Sequence, residues 1–407
     1  MTLRRVLVLA WLAVIAAVTL TAAPDQVDRI LETPWYCLAC GDAGATDVLL
    51  NVLLFLPLGV AARLAGWRFN KTLLLLLLLT IAIEATQATW LAGRDASLSD
   101  ILANGAGGVG GWLLLPQLVA ALNPTPRLAL RAALGFLVAG AGVWAATGVG
   151  LTIALSPAGP WVGQPLRLWP GHDRFPGTMQ QASMSGIPVS NDPLPGVPAQ
   201  LDSLDLTLDL TRTGAAISSR PISLLRIVDA RQQLQLSAGI RGRSLLLEHR
   251  VAASSLLLRT PAWRFEDAAI TPLTVPWRFH WFRRAGAVIL ESGPVAGPAR
   301  EYVVPLSIAL GWAFVHPFAP PVGDSAPWWS VLWIACWLGP LGWFAGVMGL
   351  RIALRFGIAA IGAMALASAA TQLPIHSDEL LVATMLFTTF ALFGATQRRR
   401  SAPTEIQ

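Results

Sequence analysis

Residues 72–90 read TLLLLLLLTIAIEATQATW, an apolar run that contains a single charged side chain, Glu84. A helix rises about 1.5 Å per residue, so an apolar run of about 20 residues can cross the hydrocarbon core of a membrane. A carboxylate inside such a run costs about 3 kcal/mol on insertion scales and is usually paired or functional. The segment therefore predicts a transmembrane helix with one charged residue that needs an explanation.

Apolar runs of similar length occur on both sides of this segment. They cover residues 6–23, 48–65, 101–121, 130–155, 328–350, 356–373 and 379–393. Hydrophobic residues make up 54% of the 407-residue chain and charged residues only 13%, which is roughly half the charged share of soluble proteins. These features predict a multi-pass α-helical membrane protein with about eight transmembrane helices and the lipid bilayer as a partner.

The runs near the two ends of the chain leave alternatives open. Residues 6–23 end in small residues and could be a cleaved signal peptide, although an uncleaved first helix is favoured. The last two runs are short enough to form a re-entrant pair, but the polar segment 371–379 between them favours two complete spans.

Basic residues predict the orientation of the chain. If the N-terminus is cytoplasmic, the inside segments contain twelve of them: Arg4, Arg5, Arg63, Arg68, Lys71, Arg127, Arg131, Arg351, Arg355, Arg398, Arg399 and Arg400. The short outside loops then contain only Arg29 and Arg94. Because cytoplasmic loops carry an excess of Lys and Arg, we expect a bacterial cytoplasmic (inner) membrane protein with both termini inside. The net charge of +6 then needs no nucleic-acid partner.

The long segment between the fifth and sixth runs differs from the rest of the chain, and we expect it outside the cytoplasm. Residues 156–198 are rich in Pro and Gly, as in a linker, and Leu then alternates with Asp and Thr over residues 204–210. This period of two is typical of a strand with one buried face. Further strands are predicted at 224–228, 234–240, 244–248, 255–258, 277–282 and 287–291, with residues 283–286 as the turn of the last hairpin. The pattern predicts an inserted all-β sandwich or jelly roll.

These strands and their boundaries predict four parts of the chain. They are a five-helix membrane block over residues 1–155, an extracytoplasmic β-rich domain with its linkers over 156–327, C-terminal transmembrane helices over 328–395, and a cytoplasmic tail over 396–407.

Strand order and size, with Phe175-Pro176-Gly177 leading into the strands, resemble the concanavalin A-like domains of the laminin-G type over residues 165–317. The resemblance implies a domain that binds glycans or peptides, sometimes with calcium, but it transfers no sugar or calcium site to particular residues. Aromatic faces stack on sugar rings, which makes four tryptophans candidates for glycan stacking: Trp169, Trp263, Trp277 and Trp281. Core packing is the alternative for each of them.

Three polar blocks interrupt the first membrane block. The first places Asn51, Phe55, Pro57 and Gly59 as N-x-x-x-F-x-P-x-G. The second is Glu84 and Gln87 as E-x-x-Q, and the third is Arg94, Asp100 and Asn104 as R-x-x-x-x-x-D-x-x-x-N. Their order and separation resemble the VanZ-like family over residues 46–115. The resemblance implies a role in the cell envelope, and the founding member of the family is associated with resistance to a teicoplanin-type glycopeptide antibiotic. Relatives that join such a block to a lectin-like domain are similar in layout.

Helical geometry indicates that these polar residues converge. Residues three or four apart share a helix face, and all of them fall in the outer half of the predicted membrane block. We therefore predict a polar cluster that binds a ligand: Asn51, Glu84, Gln87, Arg94, Asp100 and Asn104. Arg94 is the expected countercharge for Glu84 or Asp100. The alternative is that the cluster only joins helices by hydrogen bonds, each worth roughly 0.6 kcal/mol.

Three functions fit this pattern. The first is an envelope protein that binds glycan through its β-domain and a lipid or lipid-linked headgroup through the cluster, without catalysis. The second is an integral-membrane enzyme acting on a lipid-linked glycan, with Glu84 or Asp100 as catalytic residue and Arg94 holding phosphate. The third is an adaptor whose β-domain recruits a protein partner.

Other motifs carry less information. Residues 105–110 satisfy G-x-G-x-x-G, but no strand precedes them, and Gly107 and Gly111 instead predict a close helix contact. No metal site and no cofactor are expected. Cys37 and Cys40 would face the oxidising side and are predicted to form a disulfide, whereas Cys336 is interpreted as a helix-packing residue.

Overall fold

The computed structural model describes most of the chain. The described residues are 3–21, 35–39, 41–91, 97–155, 160–169, 171–194, 205–212, 220–230, 233–269, 275–284, 286–318, 320–323 and 326–401. They fall into two compact units. Unit 1 is Met1–Asn123 with Leu256–Leu258, and unit 2 is Pro124–Ser255 with Arg259–Gln407.

Unit 1 contains four helices: α1 (Leu3–Thr19), α2 (Gly44–Leu64), α3 (Phe69–Trp90) and α4 (Leu98–Leu122). Helix α1 packs on α2 and α3 through Val8 and Ile15, and the indole nitrogen of Trp11 donates a hydrogen bond to the carbonyl of Leu54 at 2.7 Å. With 17 residues, α1 is the shortest of the four. Burial of its apolar side chains fixes α1 against the other helices.

Helices α2 and α4 approach each other at backbone distance. A Cβ atom added at Gly111 would lie 1.9 Å from the carbonyl oxygen of Leu56, and one added at Gly59 would lie 1.8 Å from that of Gly108. At Gly107, the added Cβ would be 2.3 Å from the carbonyl oxygen of Val52. The close contact predicted from the glycine spacing is therefore present, and only glycine fits these positions.

Unit 2 contains the other four helices: α5 (Pro126–Gly150), α6 (Ala326–Met348), α7 (Leu350–Thr371) and α8 (Ser377–Ser401). The sequence predicts one membrane block of five helices over residues 1–155. In the structure, the fifth of these helices, α5, packs on α6 and α7. Helices α6 and α8 also meet at backbone distance, since a Cβ added at Gly346 would be 2.0 Å from the carbonyl oxygen of Ala391. Helix α8 extends to Ser401, so the predicted tail 396–407 begins inside this helix.

Seven of the described helices, all except α1, are long and apolar enough to cross a membrane. The final two, α7 and α8, have 22 and 25 residues, which is the length of complete spans rather than of a re-entrant pair. The chain is therefore a multi-pass membrane protein, and an eighth span at α1 stays a prediction.

The region between α5 and α6 has twelve described strands: β1 (Trp161–Pro165), β2 (Gly177–Met184), β3 (Ile187–Pro188), β4 (Pro193–Leu194), β5 (Asp205–Arg212), β6 (Ile222–Val228), β7 (Leu234–Arg241), β8 (Ser244–His249), β9 (Ala262–Phe265), β10 (Trp277–Arg284), β11 (Ala287–Pro294) and β12 (Arg300–Pro305). They form two six-stranded sheets in the orders β4-β1-β6-β7-β8-β9 and β12-β11-β10-β5-β2-β3. All the strand pairs within the two sheets are antiparallel. The β-rich prediction is confirmed, whereas the jelly-roll and concanavalin-like assignments stay predictions.

The structure corrects several strand predictions. The segment 156–198, interpreted as linker, contains β1 to β4. Residues 255–258 were predicted as a strand, but a 3-10 turn covers Ala252–Leu256 instead. The turn at 283–286 does join β10 to β11, but β12 follows it, so this hairpin is not the last.

Within unit 2, the strands are joined to the helices by polar contacts. Arg283 at the end of β10 donates a hydrogen bond to the carbonyl of Leu151 at 2.6 Å, and the hydroxyl of Ser307 donates to the carboxylate of Glu379.

The imidazole of His249 is buried near Arg283. Burial, assisted by the positive charge of Arg283, lowers the pKa of His249 to about 4, so this histidine is neutral at neutral pH.

Candidate functional site

The predicted polar cluster is built on the inward face of α3. Six residues of this helix are buried at helical spacing: Thr72, Leu76, Thr80, Ile83, Glu84 and Gln87. Three of the last four positions are polar, and they lie toward the C-terminal end of the helix. The buried face of α3 therefore has its charged residue and its amide in the C-terminal half of the helix.

Glu84 connects α3 to the start of α4. Its side chain is only 6% exposed, and its Oε2 accepts a hydrogen bond from the backbone N–H of Ser97 at 2.8 Å. Ser97 is the N-cap of α4, since its hydroxyl accepts a hydrogen bond from the backbone N–H of Asp100 at 3.0 Å. Among the described residues, no basic side chain forms an ion pair with Glu84. Arg94, its predicted countercharge, lies outside the described residues.

Asp100 brings α2 into the same group. The side-chain amide of Asn51 donates a hydrogen bond to Oδ1 of Asp100 at 2.6 Å, and both side chains are half-buried. Ser97 joins Asp100 to Glu84, because its backbone N–H donates to Glu84 and its hydroxyl accepts a hydrogen bond from the backbone N–H of Asp100. Asn51, Glu84, Ser97 and Asp100 therefore form one acidic group where α2, α3 and α4 meet, which we call the acidic cluster.

The other two predicted residues that the structure describes, Gln87 and Asn104, contact residues outside the acidic cluster. Gln87 donates a hydrogen bond to the carbonyl of Thr19 on α1 at 2.9 Å. The amide nitrogen of Asn104 donates to the hydroxyl of Thr80 at 3.0 Å, while its Oδ1 is buried without a hydrogen-bond partner among the described residues. The two amides join helices, so the six predicted residues do not all line one site.

The sequence analysis missed two of these partners. Thr80 lies one helical turn before Glu84 on the same face of α3, and its position inside a leucine run was the available signal. Thr19 contributes its backbone carbonyl, which no sequence pattern identifies. Ser97 begins the pattern S-x-x-D, which is typical of a helix cap, but this pattern does not predict its hydrogen bond to Glu84.

Basic and aromatic side chains gather near the C-terminal end of α2 and the start of α3, where they also contact the middle of α4. The guanidinium of Arg63 donates to the carbonyl of Trp112 at 2.7 Å and lies 4.1 Å from the centre of that indole ring. The ammonium of Lys71 lies 4.6 Å from the centre of the Trp67 ring. Basic and aromatic residues of this kind are typical of the membrane–water interface. Among the described residues of unit 1, the acidic cluster thus lies toward one end of the helices and these basic residues toward the other.

The four candidate stacking tryptophans have different environments. Trp263 and Trp281 are 0% exposed, so both are core residues and cannot stack on a glycan at the surface. Trp277 is half-buried and its indole N–H donates to the hydroxyl of Ser292 at 2.9 Å. Trp169 is also half-buried, and the guanidinium of Arg226 lies 4.0 Å from the centre of its ring. Only Trp169 and Trp277 remain candidates for stacking.

The structure describes two of the three cysteines. Cys37 is disulfide-bonded. Cys336 in α6 is a free thiol with an exposed side chain, so its interpretation as a helix-packing residue is wrong. Cys40, the predicted partner of Cys37, lies outside the described residues.

The helices and sheets together define a multi-pass membrane protein with a β-rich domain between its fifth and sixth helices. The model of the VanZ/LLP1 family matches residues 8–120 of this chain. The match covers less than a third of the chain, but it contains α2, α3, α4 and the whole acidic cluster. No curated protein and no solved structure matches the chain. Residues 8–120, which include most of the first membrane unit, are therefore similar to the VanZ/LLP1 family.

Proposed function

We propose that this protein is a VanZ-like component of the cell envelope. It binds a polar ligand, either a glycan or a lipid-linked glycan, and does not catalyse a reaction on that ligand. The observation that carries the proposal is the acidic cluster. Glu84 is almost fully buried in an apolar helix, and Ser97, which donates a hydrogen bond to Glu84, joins it to a second carboxylate residue, Asp100. A carboxylate inside a membrane helix is costly and is usually paired or functional.

The need to join helices does not by itself explain why carboxylates are present in the acidic cluster. Neutral side chains already join helices in the same unit, since Gln87 contacts Thr19 and Asn104 contacts Thr80. A carboxylate accepts hydrogen bonds and donates none, so a fitting ligand would present several donors. Sugar hydroxyls or an amino sugar meet that requirement. The half-buried side chains of Asn51 and Asp100 are the part of the cluster that such a ligand could reach.

The burial and the existing hydrogen bond of Glu84 support binding rather than catalysis. A general acid or base has to contact the proton that it transfers, but Glu84 is 6% exposed and already accepts a backbone hydrogen bond. In the β-rich domain, Trp169 and Trp277 are the candidates for contact with glycan. A link to teicoplanin-type resistance is part of this proposal and rests on the VanZ-like resemblance.

The proposed orientation predicts where each part of the chain lies. Carboxylates and cations occupy opposite ends of unit 1, and the positive-inside rule places the cationic end in the cytoplasm. Reporter fusions after residue 158 and after residue 400 should therefore report opposite compartments, the first outside and the second cytoplasmic. The same compartment for both fusions would contradict the proposed topology.

The proposal predicts that Glu84→Gln abolishes function without loss of protein. Glutamine keeps the shape and an acceptor for the N–H of Ser97, so helix packing should survive. The negative charge, which a donor-rich ligand would need, is lost. In a deletion strain complemented with the variant, susceptibility to a teicoplanin-type glycopeptide should equal that of the deletion.

Thr86→Ala is the matched control for this variant. Thr86 lies on another face of α3, and its hydroxyl donates only to the carbonyl of Ala82 in its own helix at 2.7 Å. The control should complement fully at equal membrane abundance. Full complementation by Glu84→Gln as well would show that the cluster is structural.

A further inference from the structure

A groove lies where α6 ends and α7 begins, next to the C-terminal end of α8. Its volume is about 600 Å³. The lining combines four apolar side chains with two guanidinium groups: Met348, Leu350, Ile352, Ala395, Arg351 and Arg398. The groove is distant in sequence from the acidic cluster, belongs to unit 2, and has no role in the proposed function.

One of the two arginines is fixed at the edge of the groove. Nη1 of Arg398 donates a hydrogen bond to the carbonyl of Met348, the last residue of α6, at 2.6 Å. Gly349 allows this approach because a Cβ at that position would lie 2.7 Å from the same nitrogen, and because its φ of +119° disfavours other residues. A guanidinium has five N–H donors, so the remaining donors of Arg398 are still available to a ligand.

The second arginine is free to complete a site. Arg351 lies in the first turn of α7 and its side chain is exposed. Guanidinium groups bind phosphate with paired hydrogen bonds, better than they bind neutral acceptors. The two arginines therefore fit a phosphate group, and the apolar walls around them fit hydrocarbon.

We propose that this groove binds the headgroup of an anionic phospholipid. Helices α6, α7 and α8 are all of membrane-spanning length, so a groove at their ends lies at the depth of lipid headgroups. Free phosphate would gain nothing from Met348, Leu350 and Ile352, whereas a lipid places its glycerol and upper acyl chains against them. The arginines hold the phosphate, and the apolar residues select an amphiphile.

Titration of the purified full-length protein in detergent tests this proposal, with bound lipid counted by native mass spectrometry. Phosphatidylglycerol should bind about tenfold more tightly than phosphatidylcholine, because phosphatidylcholine has a quaternary ammonium group beside its phosphate and the two guanidinium groups repel it. Arg351→Gln should abolish most of that preference. This arginine contacts no backbone group that the structure describes, so the variant should fold normally even if Arg398→Gln does not.

Arg127→Gln is the matched control, since Arg127 is an exposed arginine at the start of α5 in the same unit and lies outside the groove. It removes the same charge and should keep the preference for phosphatidylglycerol. An equal loss in Arg127→Gln and Arg351→Gln would overturn the proposal, because it would mean that lipids respond only to net charge. Inorganic phosphate that displaces phosphatidylglycerol at equal concentration would overturn it too, in favour of a site for free phosphate.

Discussion

Replacing Gly111 by alanine should destabilise the protein by about 3 kcal/mol, the upper end of the range for overpacked interiors. The added methyl group would lie 1.9 Å from the carbonyl oxygen of Leu56, so α2 and α4 would have to separate. Their separation would also pull apart Asn51 and Asp100, which are joined at 2.6 Å across the same pair of helices. Thermal unfolding of the detergent-solubilised protein measures the effect.

Gly110→Ala is the control for that experiment. No atom lies within 4 Å of a Cβ added at Gly110, and alanine is a better helix former than glycine by about 1 kcal/mol. The control should be as stable as the unchanged protein or slightly more so. If the two alanine variants unfold at the same temperature, the close contact of α2 with α4 is wrong.

Replacing Trp281 by alanine should destabilise the β-rich domain by about 3–5 kcal/mol, the usual cost of deleting a large buried aromatic ring. Trp281 is 0% exposed, and in β10 it is paired with Leu206 of β5 and Leu290 of β11. Thermal unfolding followed by loss of β-sheet circular dichroism measures this cost.

Two further variants separate packing from hydrogen bonding at this site. The indole N–H of Trp281 has no hydrogen-bond partner among the described residues, so neither Trp281→Ala nor Trp281→Phe removes a hydrogen bond there. Trp281→Phe should cost much less than Trp281→Ala because phenylalanine keeps most of the buried ring and leaves a smaller cavity. Trp277→Ala, at a half-buried ring, should also cost less. A Trp281→Ala variant as stable as Trp277→Ala would contradict the core assignment.

The helices were largely predictable because membrane insertion leaves a strong signal. A span needs about 20 apolar residues regardless of its neighbours, and residues 72–90 satisfy this requirement by themselves. The grouping of helices was not predictable in the same way. Nothing in the sequence of α5 says that it packs on α6 and α7, since that choice depends on small residues meeting across helices that are distant in the chain.

The clearest strand prediction was β5, where polar residues alternate with leucines. Asp205 and Thr207 are half-buried, and Asp209, on the same face, is buried and paired with Arg278 at 2.7 Å. Strand β1 contains Gly163 and Pro165 and therefore looked like linker, although it lies between β4 and β6. Short strands of this kind are stabilised by their partners more than by their own composition.

The acidic cluster was predicted in part. Helical spacing placed Glu84 and Gln87 on one face, and both are buried there. The same spacing could not tell that Gln87 contacts α1 whereas Glu84 contacts the cap of α4. Which neighbour a polar side chain meets depends on helix packing, and the Ser97 backbone N–H that binds Glu84 has no signature of its own.

The most direct test of ligand binding at the acidic cluster is mass spectrometry of the lipids and glycans that co-purify with the protein. The unchanged protein and Thr86→Ala should retain the same hydroxyl-rich lipid or glycan. Glu84→Gln, purified in equal amount, should retain about tenfold less of it, because the loss of a buried negative charge weakens the attraction of the cluster for the ligand's donors by about 1.4 kcal/mol. Identical profiles for all three proteins would contradict a binding role for Glu84.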